Sequence, residues 1–192
     1  MKRYCLYLFI LIGISCSAEL KAQKNGTVYK GNDPAVRYTG RTLVSPDGSV
    51  AFDWVGTYLE TRFTGGKLSV KVSETGTSYY NVFVDGKLHK VVKVCGTDTL
   101  IHLVSGIDKR IHSLKIQKRS EGEFGKTTVH QFVLSGSGRL AEEPAVRTRH
   151  IEFIGNSLTC GYGTDGKHRD EPFLVETENC NLTFASMVAR YY

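Results

Sequence analysis

From Thr27 to Ala141 apolar and polar residues alternate with a period of two, and this constrains the fold more than any other feature of the chain. Leu68, Val70 and Val72 alternate with Lys67, Ser69, Lys71 and Ser73, as a strand with one buried face requires. Tyr80, Val82 and Val84 repeat the pattern and end at Asp85-Gly86, a dipeptide suited to a type I′ turn. A hairpin into Leu88–Val94 is therefore predicted. Further strand-like runs are Val50–Trp54, Thr57–Phe63, Thr99–Val104, Ile111–Lys118 and Thr128–Leu134. Breaks are expected at Pro46-Asp47-Gly48, Gly65-Gly66, Gly76, Gly96, Gly106-Ile107-Asp108 and between Gly122 and Gly125. Roughly eight short strands at this spacing, with no helical period between them, argue for a β-sandwich over residues 27–141. The 20 glycines against 4 prolines fit a chain of many tight turns.

Residues 1–22 read as a signal peptide, because Lys2 and Arg3 precede an apolar run from Leu6 to Ile14. That run has the length of a signal core and is too short to span a bilayer. Two processing routes stay open. Signal peptidase I would cut after Ala22; alternatively Ile14-Ser15-Cys16 resembles the end of a bacterial lipobox, with Gly13 where leucine is usual, making Cys16 a lipid anchor. Either route predicts a secreted or periplasmic protein, and no later segment is long and apolar enough for a transmembrane helix. Lys2, Arg3 and Lys21 contribute to the net charge of +6. The remaining basic residues are scattered, which argues against a nucleic-acid partner. Cys95, Cys160 and Cys180 follow the leader, and in an oxidising compartment Cys160 and Cys180 are the disulfide candidates, leaving Cys95 free and buried. No Cys-x-x-Cys occurs and the six histidines stand singly, so the spacings do not read as a metal site.

The alternation breaks over Ser135–Arg149, with a linker at 142–150, and the pattern then changes. Ile151-Glu152-Phe153-Ile154 reads as a short buried strand and runs into Gly155-Asn156-Ser157-Leu158-Thr159-Cys160-Gly161-Tyr162-Gly163. A serine in a glycine-flanked turn beyond a strand end is where an α/β protein exposes a nucleophile, and turn amides can hold an oxyanion. Thr159 stands where a Gly-x-Ser-x-Gly elbow has its second glycine, which argues against an ordinary α/β-hydrolase. Gly155-Asn156-Ser157-Leu158 instead resembles the Gly-Asp-Ser-Leu block of the SGNH (GDSL-type) hydrolases, with Asn156 in place of the usual Asp. The extended string to Gly163, with Glu176-Thr177-Glu178-Asn179, resembles carbohydrate esterase family 2. So do the upstream stretches Val36–Arg41, Phe52–Thr57 and Phe83–Gly86.

That resemblance implies a mainly β fold: a jelly-roll-like sandwich followed, over 151–192, by the start of an α/β/α SGNH hydrolase domain. It also implies an acetyl esterase acting on plant-wall polysaccharide such as acetylated xylan. Ser157 would be the nucleophile, its backbone amide part of the oxyanion hole, and no cofactor would be needed. The family's catalytic histidine and its later oxyanion residues lie beyond Tyr192, so the 192 residues are expected to be an inactive fragment. His168, eleven residues after Ser157 in the loop Thr164–Glu171, has two readings, a substitute base or a solvated loop residue. Ala185, Val188, Ala189 and Tyr192 mark one face of an amphipathic helix, with Asn181 as its expected cap. Trp54, Tyr58 and Tyr162 are candidates for stacking on a sugar ring, against the alternative that they only pack. A non-catalytic carbohydrate-binding or structural module is the competing reading.

Overall fold

The computed structural model describes residues 26–142 and 148–192. The leader with Cys16 and much of the 142–150 linker lie outside the described residues. Ten strands form one antiparallel hydrogen-bonded network: β1 (Thr27–Lys30), β2 (Val36–Thr39), β3 (Leu43–Val44), β4 (Val50–Phe52), β5 (Tyr58–Glu74), β6 (Thr77–Val84), β7 (Lys87–Cys95), β8 (Thr99–Lys118), β9 (Thr127–Ser135) and β10 (Arg139–Leu140).

Two long strands organise it. β5 and β8 pair along most of their length, Tyr58 opposite Gln117 and Val72 opposite Thr99, with register shifts between Thr64 and Ser69. On its other edge β5 changes partner at those bulges. Before them it pairs with β2 and β10, after them with β9. Each half of the β5–β8 ribbon therefore belongs to a different layer, as happens when strands switch sheets at bulges. One layer adds β6 and β7 beyond β8; the other adds β9 with β1, β4 and β3.

The glycines expected to end strands instead bend them. Gly65-Gly66 and Gly106 lie inside β5 and β8, with Gly66 at φ +83° and Gly106 at φ +69°. A Cβ on Gly66 would also come within 2.4 Å of the Ser135 carbonyl oxygen. Two predicted pairs of short strands are thus two continuous strands that turn a corner. Arg139–Leu140, expected to lie outside the alternation, pairs with Thr64 and Phe63 and buries Leu140.

Between the layers Leu59, Phe63, Val82, Leu114 and Ile116 meet Leu68, Val70, Val72, Phe132 and Leu134 in a single apolar core. Full burial of each such side chain is worth about 1.5–3 kcal/mol. Phe52 of β4 reaches across to Tyr38 of β2 and Tyr80 of β6, with ring centroids at 6.2 and 6.3 Å.

Residues 148–192 contain two α-helices, the single turn α1 (Ser157–Cys160) and α2 (Phe184–Tyr191), with short 3-10 turns at Val175–Thr177 and Cys180–Leu182. Ile151–Ile154 is not a strand. It has no ladder partner among the described residues, and Ile154 is 91% exposed. On α2, Ala185 alone of the expected apolar stripe is buried. Its N-cap is Thr183, not Asn181, and the Asn181 side chain instead accepts from Arg190 at 2.8 Å.

Candidate active site and its docking on the sandwich

Ser157 opens α1, and the turn around it is built by its neighbours. The Asn156 side chain accepts from the Leu158 N–H at 3.2 Å, capping the helix, a job the block's usual Asp would also do. Gly161 ends the turn in the left-handed conformation, and its N–H and that of Tyr162 donate to the Ser157 carbonyl at 2.9 and 3.0 Å. Gly155 sits so close to Thr159 that a Cβ there would come within 2.0 Å of its Oγ1. Thr159 thus fills the space that the missing second glycine would leave open. Ser157 itself is exposed.

This turn is stitched to the segment that follows. Asn179 N–H donates to Gly161 O at 3.0 Å, Asp165 N–H to Thr177 O at 2.9 Å, and Thr164 Oγ1 to Asn179 O at 3.0 Å. Both pieces then dock on the outer face of the β6–β8 layer. Arg119, 3% exposed just past β8, donates through Nε to Glu178 O and through Nη2 to Glu176 O, both at 3.0 Å, and to the Asp165 carboxylate. One guanidinium thus holds three points, as its rigid fork of donors permits. Asn81 Nδ2 adds a buried bond to Asn179 Oδ1 at 3.0 Å, and Cys180 Sγ donates to Lys118 O at 3.3 Å.

The junction is electrostatically unusual. Burial is the main reason that the Glu178 carboxyl is pushed up to about 7, with the Glu121 carboxylate adding to the effect. Burial also lowers the Lys118 ammonium to about 8; its Nζ points into the sandwich and donates to Ser78 Oγ at 2.6 Å. The same cause raises the Cys160 and Cys180 thiols to about 12.

The expected site residues are only partly brought together. Tyr162 follows the Ser157 turn, but its ring is stacked on Phe173 at 3.8 Å and its hydroxyl donates to Glu123 at 3.2 Å. Tyr58 carries the Lys115 ammonium 3.9 Å from its ring centroid and lines a cavity of about 280 Å³ with Arg37, Glu60 and His150. Trp54 is 57% exposed; the Arg41 guanidinium lies 5.0 Å from its ring centroid and pairs with Glu152 at 3.6 Å. No hydrogen bond joins any of these rings to Ser157 among the described residues. His168 is exposed beside Tyr162 and Phe173, and no described histidine hydrogen-bonds to the Ser157 hydroxyl. The Cys160–Cys180 disulfide is not formed: both are free thiols, and Cys95, expected buried, is exposed. Arg119, Glu121 and Glu178 were not singled out as site residues by sequence reasoning. The available signal was the polar run Arg119-Ser120-Glu121 directly after an alternating strand.

The family model described as carbohydrate esterase 2 N-terminal matches residues 38–144, more than half of the chain. The chain belongs to this family. Among its relatives, the cellulase/esterase CelE of Acetivibrio thermocellus is 33% identical over 159 residues, covering 83% of this chain and 19% of that protein. An acetylxylan esterase / glucomannan deacetylase of Cellvibrio japonicus is 29% identical over 135 residues, covering 70% of this chain and 37% of that protein. In fold, the chain is similar to a family two carbohydrate esterase from Clostridium thermocellum solved in complex with cellohexaose. The TM-score is 0.77 at 33% identity, covering 81% of this chain and 48% of that one. The chain therefore spans less than half the length of these relatives.

Proposed function

We propose that the full-length protein is a serine esterase that removes acetyl groups from plant-wall polysaccharide of the xylan or mannan type, with Ser157 as its nucleophile. The observation that carries this reading is the exposed Ser157 at the head of a capped, glycine-closed turn, in a chain of the carbohydrate esterase 2 N-terminal family. In the proposed reaction the Ser157 hydroxyl attacks the acetyl carbonyl as a base takes its proton. The carbonyl oxygen becomes an oxyanion within reach of the Ser157 N–H. Collapse expels the sugar hydroxyl, which receives the proton, and leaves an acetyl-serine that water then hydrolyses. The base is a histidine from outside the described residues. Trp54, the most exposed of the three aromatic candidates, is the proposed sugar platform. The leader's charge and apolar run support a protein that works outside the cytoplasm.

Covalent trapping tests the nucleophile. A chain as long as its relatives, treated with an alkyl fluorophosphonate, should lose esterase activity in step with one adduct, mapped by mass spectrometry to Ser157. Loss of activity with the adduct on another serine would overturn the assignment.

A further inference from the structure

Beside the Ser157 turn, donor atoms of Glu121, Cys160 and Glu178 all lie within 4.8 Å of one another. The three come from the sandwich, the last residue of α1 and the segment held by Arg119. An independent observation sets this cluster apart from an ordinary acidic patch. Glu178 is 0% exposed; one of its oxygens accepts from the Glu121 N–H at 3.2 Å, while the other, Oε1, has no hydrogen-bond partner. A buried carboxyl oxygen left without a hydrogen-bond partner is costly. We propose that Glu121, Cys160 and Glu178 bind a thiophilic divalent cation of the zinc class.

The donor set selects the metal. A thiolate with two carboxylates suits zinc and its analogues; calcium and magnesium prefer all-oxygen shells. Bonds of about 2.0–2.3 Å in a tetrahedron put ligand atoms about 3.5 Å apart. The side chains therefore need only close inward, with water as the fourth ligand. On coordination the Cys160 S–H bond is replaced by an S–metal bond and its proton passes to solvent. The cation would then tie α1, and with it Ser157, to the sandwich. This inference does not depend on the esterase reading.

The probes are Co²⁺ and Zn²⁺, added to the purified chain. One equivalent of Co²⁺ is expected to produce a thiolate-to-metal charge-transfer band that Cys160→Ser abolishes. Glu178→Gln should weaken Kd at least ten-fold, and Zn²⁺ should raise the melting temperature of the wild type but not of Cys160→Ser. A band that persists in Cys160→Ser, or no saturable binding by folded wild-type protein, would overturn the site and leave a buried water as the partner of Glu178 Oε1.

Discussion

Gly161 shows how one residue serves both the turn and its docking. It holds φ at +91°, and a Cβ there would fall 2.6 Å from the Asn179 backbone carbon and oxygen. Gly163 holds φ at +66° with nothing within 4 Å of the same position. Substitution of either glycine by alanine forces a side chain into the left-handed region, at about 1–2 kcal/mol. Only Gly161→Ala must also push the 174–183 segment away. We predict that Gly163→Ala lowers stability by about that amount and keeps residues 148–192 protected from protease, whereas Gly161→Ala exposes them to cleavage. Equal protection in both variants would contradict the docking described. The glycine pair was legible in the sequence as part of the block. Its packing partner was not, because Asn179 is brought to it by tertiary contacts that no local spacing encodes.

At the scale of elements, the β6–β7 turn and the bend of β8 are joined through one histidine. His112 Nδ1 lies 2.7 Å from Asp85 and Nε2 lies 2.9 Å from Asp108. Two carboxylates leave both ring nitrogens as donors, which is the imidazolium. The hydrogen bond to Asp85 is the largest cause of the raised His112 pKa, and desolvation opposes it. The folded state therefore favours the proton. This contribution is fully present below the ordinary value of 6.5 and is lost as pH rises through the raised one. Asp85 and Asp108 lie below 3.8, Asp85 chiefly through the His112 bond and Asp108, at about 2, chiefly through the Arg110 N–H. Their contribution is present above 3.8 and fades as pH falls through the lowered values. Urea midpoints should thus decline above about pH 6.5 in the wild type, and His112→Gln should flatten that decline. An unchanged slope in His112→Gln would remove the assignment. The Asp85-Gly86 turn was readable in advance, and both residues do adopt positive φ. The corners in β5 and β8 were not, since glycine in a strand marks a turn, a bulge or a bend alike until the partner strands are known. Ile151–Ile154 misled for a related reason: an apolar run reads as a strand, but a ladder needs a partner, and none lies beside it among the described residues.

For the whole molecule, the sandwich serves as a docking platform as well as a folded core. Its inner faces carry the apolar alternation that sequence reasoning finds readily; its outer face carries Asn81, Gln117 and Arg119, which alternation assigns to solvent and the structure buries. That burial is what fixes the Ser157 turn to the fold. No helix among the described residues is long and apolar enough to cross a membrane. The most direct test of the account is acetate release from acetylated xylan and glucomannan by a chain spanning the length of its relatives, beside its Ser157→Ala variant. The account predicts a loss of about 10⁴-fold or more in kcat with the fold intact. Acetate release near the wild-type rate from a folded Ser157→Ala protein would contradict it.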